Sequence, residues 1–215
     1  MDNMRREHIQ MRMRIDLHVH TAYSDDAYGE PEEVLAAAVK AGLDGLAITE
    51  HGNYEKSEIF LKLAPRFNLA VFVGAEVATR SGHLLVFSND ISRWNRFKGD
   101  NNDAQGVIDA VNLAGGAVVA AHPYRIGHGC GGAAKLSGLA AIETCNGANR
   151  PFENRPAMEL AQKLNLPCTG GSDAHLVSEI GRCYTIFTVP VRDVSGLVAA
   201  LITGRCYPVD CDQKL

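Results

Sequence analysis

Residues 14–26, RIDLHVHTAYSDD, decide the fold. Ile15 to Val19 reads as a buried strand. Strand residues two apart share a face, so His18 and His20 emerge together at its end, with Asp25 and Asp26 shortly after. A strand that keeps its polar side chains at one end suits an architecture in which strand ends surround a common mouth.

Working outward, strand and helix alternate. Pro31 to Ala41 reads as a helix, with proline in its first turn and Gly42 just past its end. Strands are expected at 44–49, 69–73, 83–87, 117–120, 139–143, 167–169, 184–189 and 205–209, and helices at 54–63, 103–114, 150–164 and 193–203. Repeated βα units predict a mostly parallel sheet covered by helices, and the polar strand ends favour a barrel over a doubly wound sheet. Residues 91–102 read as an exposed loop or broken helix with an aromatic anchor, and the glycine-rich stretch 127–132 as a mobile loop over the site. The latter lacks the Lys-Ser or Lys-Thr of a phosphate-binding loop.

The chain has 215 residues, 46% hydrophobic and 21% charged, with a net charge of −4. That is a globular composition, and it excludes a disordered chain, a collagen-like repeat and a disulfide miniprotein. The acidic balance argues against stable coating of duplex DNA. No apolar run suits a membrane span, and residues 1–13 read as a flexible tail without a secretory signal, so one domain over 14–215 and a cytoplasmic location are expected. The six cysteines form no C-x-x-C pair, which makes a disulfide framework or thiolate zinc site unexpected and leaves most as buried small hydrophobes.

The chemistry lies in the histidines. His18, His20, His51, His83, His122 and His175 sit at or near strand ends beside carboxylates. One H-x-H alone is a weak signal. Here successive strand ends each add to it: Thr49-Glu50-His51, Gly74-Ala-Glu76, Gly82-His83, Ala121-His122-Pro123 and Gly171-Ser-Asp173-Ala-His175. Mixed imidazole and carboxylate donors suit catalytic metals such as Zn, Mn or Fe, and so many donors imply two or three ions.

The motifs DLHVHTAYSDD, TEHG, GAE, GHLL, AHP and GSDAH, in this order from Arg14 to about Val209, resemble those of the PHP (polymerase and histidinol phosphatase) family of metal-dependent phosphoesterases. The resemblance implies a single-domain α/β fold, a distorted (β/α)7 TIM-like barrel. It implies nine ligands: His18, His20, Glu76 and Asp173 for a first ion, Glu76 bridging to a second with His83 and His122, and Asp25, His51 and His175 for a third. Two to three divalent ions (Mn, Fe or Zn) would generate a bridging hydroxide that attacks phosphorus, with Glu76, Asp173 and His122 as the catalytic set. Substrates would be phosphomonoesters or phosphodiester ends: nucleotides, oligonucleotide ends or small phosphorylated metabolites.

Arg125, Arg150 and Asn146 are candidates to bind the substrate, with Arg155 and Asn149 weaker. Only 50 residues separate Pro123 from Asp173, too few for a roofing domain, so an open site is expected. Two other readings compete. An amidohydrolase shares the H-x-H and a late aspartate but commonly bridges its metals with a carboxylated lysine, and no lysine occupies a strand end here. A noncatalytic metal-binding module would be expected to have lost ligands.

Overall fold

The computed structural model describes residues 12–52 and 54–210. β1 (Met13–Val19) is followed by α1 (Pro31–Lys40), β2 (Gly45–Ile48), α2 (Glu58–Phe67), β3 (Ala70–Thr79) and β4 (Gly82–Phe87). Then come α3 (Ala104–Leu113), β5 (Ala117–Ala120), β6 (Ala141–Asn146), α4 (Pro151–Leu164), β7 (Cys168–Gly171), β8 (Cys183–Phe187), α5 (Val194–Ile202) and β9 (Cys206–Asp210). The tail expected over 1–13 lies outside the described residues as far as residue 11, and Met13 already opens β1.

The helices begin where local chemistry satisfies their free N–H groups. Asp103 caps α3 by accepting from Gly106 N at 2.8 Å, and Asp193 caps α5 by accepting from Gly196 N at 2.7 Å. Pro31 and Pro151 occupy first turns, where a missing N–H costs nothing.

The nine strands among the described residues form one sheet in the order β7-β6-β5-β4-β3-β2-β1-β8-β9. It curls into a nearly closed barrel. Asp173 N donates to His18 O at 2.7 Å and His20 N to Ala174 O at 3.0 Å, which ties the chain beyond β7 back to β1. Thr185 Oγ1 accepts from Gly170 N and donates to Gly170 O, at 2.9 and 2.8 Å, binding β7 to β8.

The expectation of a mostly parallel sheet needs correction. β1–β2, β2–β3, β5–β6 and β6–β7 are parallel, whereas β3–β4, β4–β5, β1–β8 and β8–β9 are antiparallel. For β3–β4 the reason is a tight connection at residues 80–81, which returns the chain as a hairpin without a crossover helix. β3 also runs six residues beyond the expected Val73, because Val77 and Thr79 still pair with β4 while Glu76 faces inward.

Alternation along the strands divides the apolar residues between two layers. Ile15, Leu17, Phe72, Leu85, Phe87, Val119 and Phe187 fill the barrel with Leu197 and Leu201 of α5. Leu46, Ile48 and Val19 face α1 and α2, and Val118, Ala120 and Ile142 face α3 and α4. No helix among the described residues is long and apolar enough to cross a membrane.

Residues 91–97 form a short 3-10 turn anchored by Trp94, which is buried in the outer core and stacked on Phe97, as the anchor reading expects. The loop 127–132, expected to be mobile, is held: His128 O accepts from His83 N at 3.3 Å, and Cys130 is fully buried. Trp94→Ala should lower the unfolding free energy by about 3–5 kcal/mol in urea melts while metal content stays unchanged, since this anchor supports the wall and not the mouth.

Candidate metal centre

His18 and His20 reach the mouth together because β1 changes phase. Ile15 and Leu17 face the barrel interior, and a register irregularity between Asp16 and Val19 then turns His18 and His20 inward as well. Room for His18 depends on Gly171, where a Cβ would lie 2.4 Å from His18 Cβ. His122 and Asp173, just beyond β5 and β7, both have left-handed backbone, with φ of 25° and 53°. For histidine that is an uncommon conformation, held here because His122 N donates to Glu143 Oε2 at 2.9 Å.

The donors converge on Glu76. Its Oε2 lies 3.2 Å from His18 Nε2, 3.1 Å from His20 Nε2 and 3.4 Å from His51 Nε2. Its Oε1 lies 2.9 Å from both His83 Nδ1 and His122 Nε2. Asp173 Oδ1 stands 3.3 Å from both His18 Nε2 and His20 Nε2. Three donor sets result at the mouth: His18, His20, Glu76 and Asp173; Glu76, His83 and His122; and His20, His51 and His175.

This donor chemistry fits divalent metal ions. Glu143 Oε1 accepts from His18 Nδ1 at 3.0 Å, and Ser24 Oγ, which donates its own proton to Glu50, faces His20 Nδ1 at 3.4 Å. Both rings therefore carry hydrogen at Nδ1 and turn the lone pair of Nε2 toward Glu76, Asp173 and each other, 3.1 Å apart. Converging lone pairs need a cation between them. Bonds of about 2.0–2.2 Å to one ion separate neighbouring ligand atoms by roughly 3.0–3.5 Å, the spacing found here.

Without an ion, protons take that role. Burial alone would lower the pKa of His18, but the charges of Asp173, Glu76 and Glu143 hold it well above the usual histidine range. His20 is likewise raised to about 9 against the burial penalty, by Asp173 and Glu76. Burial would raise Glu76 and Asp173, and the surrounding imidazoles hold both well below the usual carboxylate range. His51, farther out, is lowered to about 4, chiefly by burial.

Of the nine expected ligands, eight are brought together. Asp25 is exposed and belongs to none of the donor sets among the described residues. Its neighbour Asp26 turns to the histidines instead, with Oδ2 3.3 Å from His175 Nε2 and 4.0 Å from His51 Nε2. One residue along a turn reverses a side chain's direction, and two consecutive aspartates give no sequence signal to choose between them.

Arg125 joins the wall: Nη1 donates to Asp173 Oδ2 at 2.5 Å, Nη2 to Asn146 Oδ1 at 2.6 Å and Nε to Asn149 Oδ1 at 2.8 Å. Asn146 in turn donates to Glu143 Oε2 and Asp173 Oδ2. Arg150 is not brought in. It is exposed at the start of α4, with its guanidinium over the Phe152 ring. Arg155 pairs with Glu159 on the surface. Glu143, which orients His18 and holds the His122 backbone, and Glu50, which holds Thr21 and Ser24, escape sequence reasoning. Only their placement in or just after a strand, as acids in an apolar run, could have marked them.

A family model described as the PHP domain matches residues 16–122, and one described as PHP-associated matches residues 151–206. The chain belongs to the PHP family. It is 30% identical over 124 residues to an uncharacterized protein of Methanocaldococcus jannaschii, covering 52% of this chain and 68% of that one. Among solved structures, a two-domain protein of Bacteroides vulgatus containing a predicted PHP-like metal-dependent phosphoesterase superposes with a TM-score of 0.75 at 18% identity. The match covers 93% of this chain and 65% of that chain. The lesion-specific endonuclease Q of Pyrococcus furiosus superposes with a TM-score of 0.74 at 17% identity, over 92% of this chain and 58% of the other. At these identities the two structures share the fold, and each extends beyond it.

Two outcomes are expected in protein stripped of metal. His20 has a folded pKa of about 9 against an ordinary value of 6.5, so its stabilising contribution is complete below about pH 6.5 and lost as pH rises toward 9. The Tm of stripped protein should fall across that window and that of Mn2+-loaded protein should not; parallel curves would refute the linkage. Titration calorimetry near pH 7 in buffers of different ionisation enthalpy should detect protons released on metal uptake, because the cation displaces those on His18 and His20.

Proposed function

We propose that this PHP-family protein is a metal-dependent phosphoesterase that hydrolyses phosphomonoesters or phosphodiester ends. The observation that carries this reading is the division of Glu76: one carboxylate oxygen faces His18, His20 and His51, the other His83 and His122. A carboxylate so placed can give one oxygen to each of two ions.

When bound, such ions lower the pKa of a shared water toward neutrality and neutralise charge developing on phosphoryl oxygens. The chain's own residues prepare the site. Glu143 fixes the tautomer and rotation of His18, and Ser24 does so for His20. Asp173, held by Asn146 and Arg125, keeps Oδ1 toward the ion-binding nitrogens. Arg125 uses one hydrogen bond on each of its three nitrogens within the wall, which leaves two further guanidinium N–H groups to take a phosphoryl oxygen.

Nucleotides, oligonucleotide ends and small phosphorylated metabolites are the substrate classes this supports. Against the amidohydrolase reading, Glu76 stands where that class commonly bridges its metals with a carboxylated lysine.

The deciding assay is release of p-nitrophenol from p-nitrophenyl phosphate and its bis-ester with Mn2+, Fe2+ or Zn2+ restored, alongside metal analysis of the purified protein. Two or three ions per chain with turnover support the reading; a fully loaded protein silent on both esters and on nucleotide and oligonucleotide substrates refutes it. Glu76→Gln should lower turnover at least about 100-fold and reduce bound metal while the circular dichroism spectrum is retained. Arg125→Ala should lower kcat/KM about 10–100-fold, chiefly through KM.

A further inference from the structure

Cys145, on β6, and Cys183, at the start of β8, bring their sulfurs to 2.7 Å although 38 residues separate them in the chain. Both are buried. They meet because the strand between them has no side chain at the crossing point. Cys145 pairs with Gly170 of β7, and a Cβ at Gly170 would lie 2.7 Å from Tyr184 O. The glycine lets β7 sink against β8 and brings the flanking thiols into contact.

The surroundings favour a bond over a shared ion. Two thiolates on one tetrahedral zinc stand about 3.8 Å apart, given Zn–S bonds of about 2.3 Å. The neighbouring Cys145 thiol, burial and the charge of Asp210, which pairs in register with Cys183, raise the cost of a thiolate there. A disulfide carries no charge and removes that cost. A path from solvent exists: a cavity of about 500 Å³ beside α4 is lined by Cys145, Met158, Pro208 and Asp210.

We propose that Cys145 and Cys183 form a disulfide that staples the barrel across its closing seam, made by exchange with a small-molecule disulfide entering from this cavity. The Cys145 thiol loses its proton and attacks one sulfur of the incoming disulfide, releasing one small thiol. Cys183 then attacks the Cys145 sulfur of the mixed disulfide as its proton passes to the departing small thiolate, which leaves as the second thiol. Two protein thiols are oxidised, one small disulfide is reduced to two thiols, and no other oxidant is needed. The bridge fixes the end of β6, where the next residue, Asn146, holds Asp173 and Arg125.

The test treats the full-length protein with oxidised glutathione, alkylates the remaining thiols and maps tryptic peptides. Cys145 lies alone in peptide 136–163 and Cys183 alone in peptide 183–192, so their cross-link is unambiguous. The expected result is that cross-link, reversed by dithiothreitol, with a Tm rise of about 5–10 °C. Both should vanish in Cys145→Ser and in Cys183→Ala. Should either variant fail to fold, the wild-type map decides alone. Glutathione adducts without the cross-link overturn the proposal. So does Zn2+ uptake that shields both thiols from alkylation, is reversed by a chelator and survives Glu76→Gln, which would make the pair a thiolate metal site.

Discussion

Glu76 places a carboxylate, shut off from solvent, among five imidazoles drawn from four strand ends. An unpaired buried carboxylate costs several kcal/mol, so the fold must bring positive or metal-ready partners to it. Those partners come from positions 18, 20, 51, 83 and 122. Each pairing requires its strand to be in register, because a slip of one residue sends every side chain to the other face. The mouth and the barrel are thus one constraint: the wall exists in its register for this carboxylate to be tolerable, and the carboxylate is tolerable only with the wall in that register.

A ring of further carboxylates keeps the imidazoles aimed. Glu143 spans His18 and the backbone of His122. Glu50 fixes the loop after β1 through Thr21 and Ser24. Asp16 accepts from Ser172 N at 2.8 Å, Gly181 N at 3.0 Å and His18 N at 3.2 Å, sewing β1 to the chain on both sides of the seam. Burial pushes the Asp16 carboxyl up to about 6 despite these bonds. These acids bear on the site by positioning, since their oxygens are spent on the groups they hold.

Most of the wall was legible because apolar runs of four to six residues, punctuated by glycine and proline, mark strands whatever their partners. Strand direction was not legible: Thr79-Arg-Ser-Gly82 is a turn in the sequence, but nothing in the composition of β3 tells a hairpin from the start of a crossover. Which side chains meet at the mouth was legible where a residue lies at or just beyond a strand end, as His18, His20, His51, His122 and His175 do, whereas Glu76, inside β3, and His83, at the start of β4, reach it through the hairpin. Sequence reasoning failed at Asp25, where a turn sets direction. It failed at Glu143 because an acid inside an apolar strand gives no hint of which ring it will meet 125 residues away. The thiol contact was invisible for the same reason, as it depends on Gly170 of a third strand.

Burial grades the donors by depth, and depth bears on chemistry. His18, His20, His122, Glu76 and Asp173 are closed to solvent, whereas the side chains of His83, His51 and His175 are 17%, 31% and 29% exposed. An ion held by the deep set would sit in low dielectric, where each charge interaction is stronger and exchange slower. The third set, with two half-open histidines and the exposed Asp26, forms the outer edge of the mouth. Among the described residues, the segment between β5 and β7 contributes β6 and α4. At the rim, Arg125 is the one guanidinium that the described structure ties directly to a donor residue.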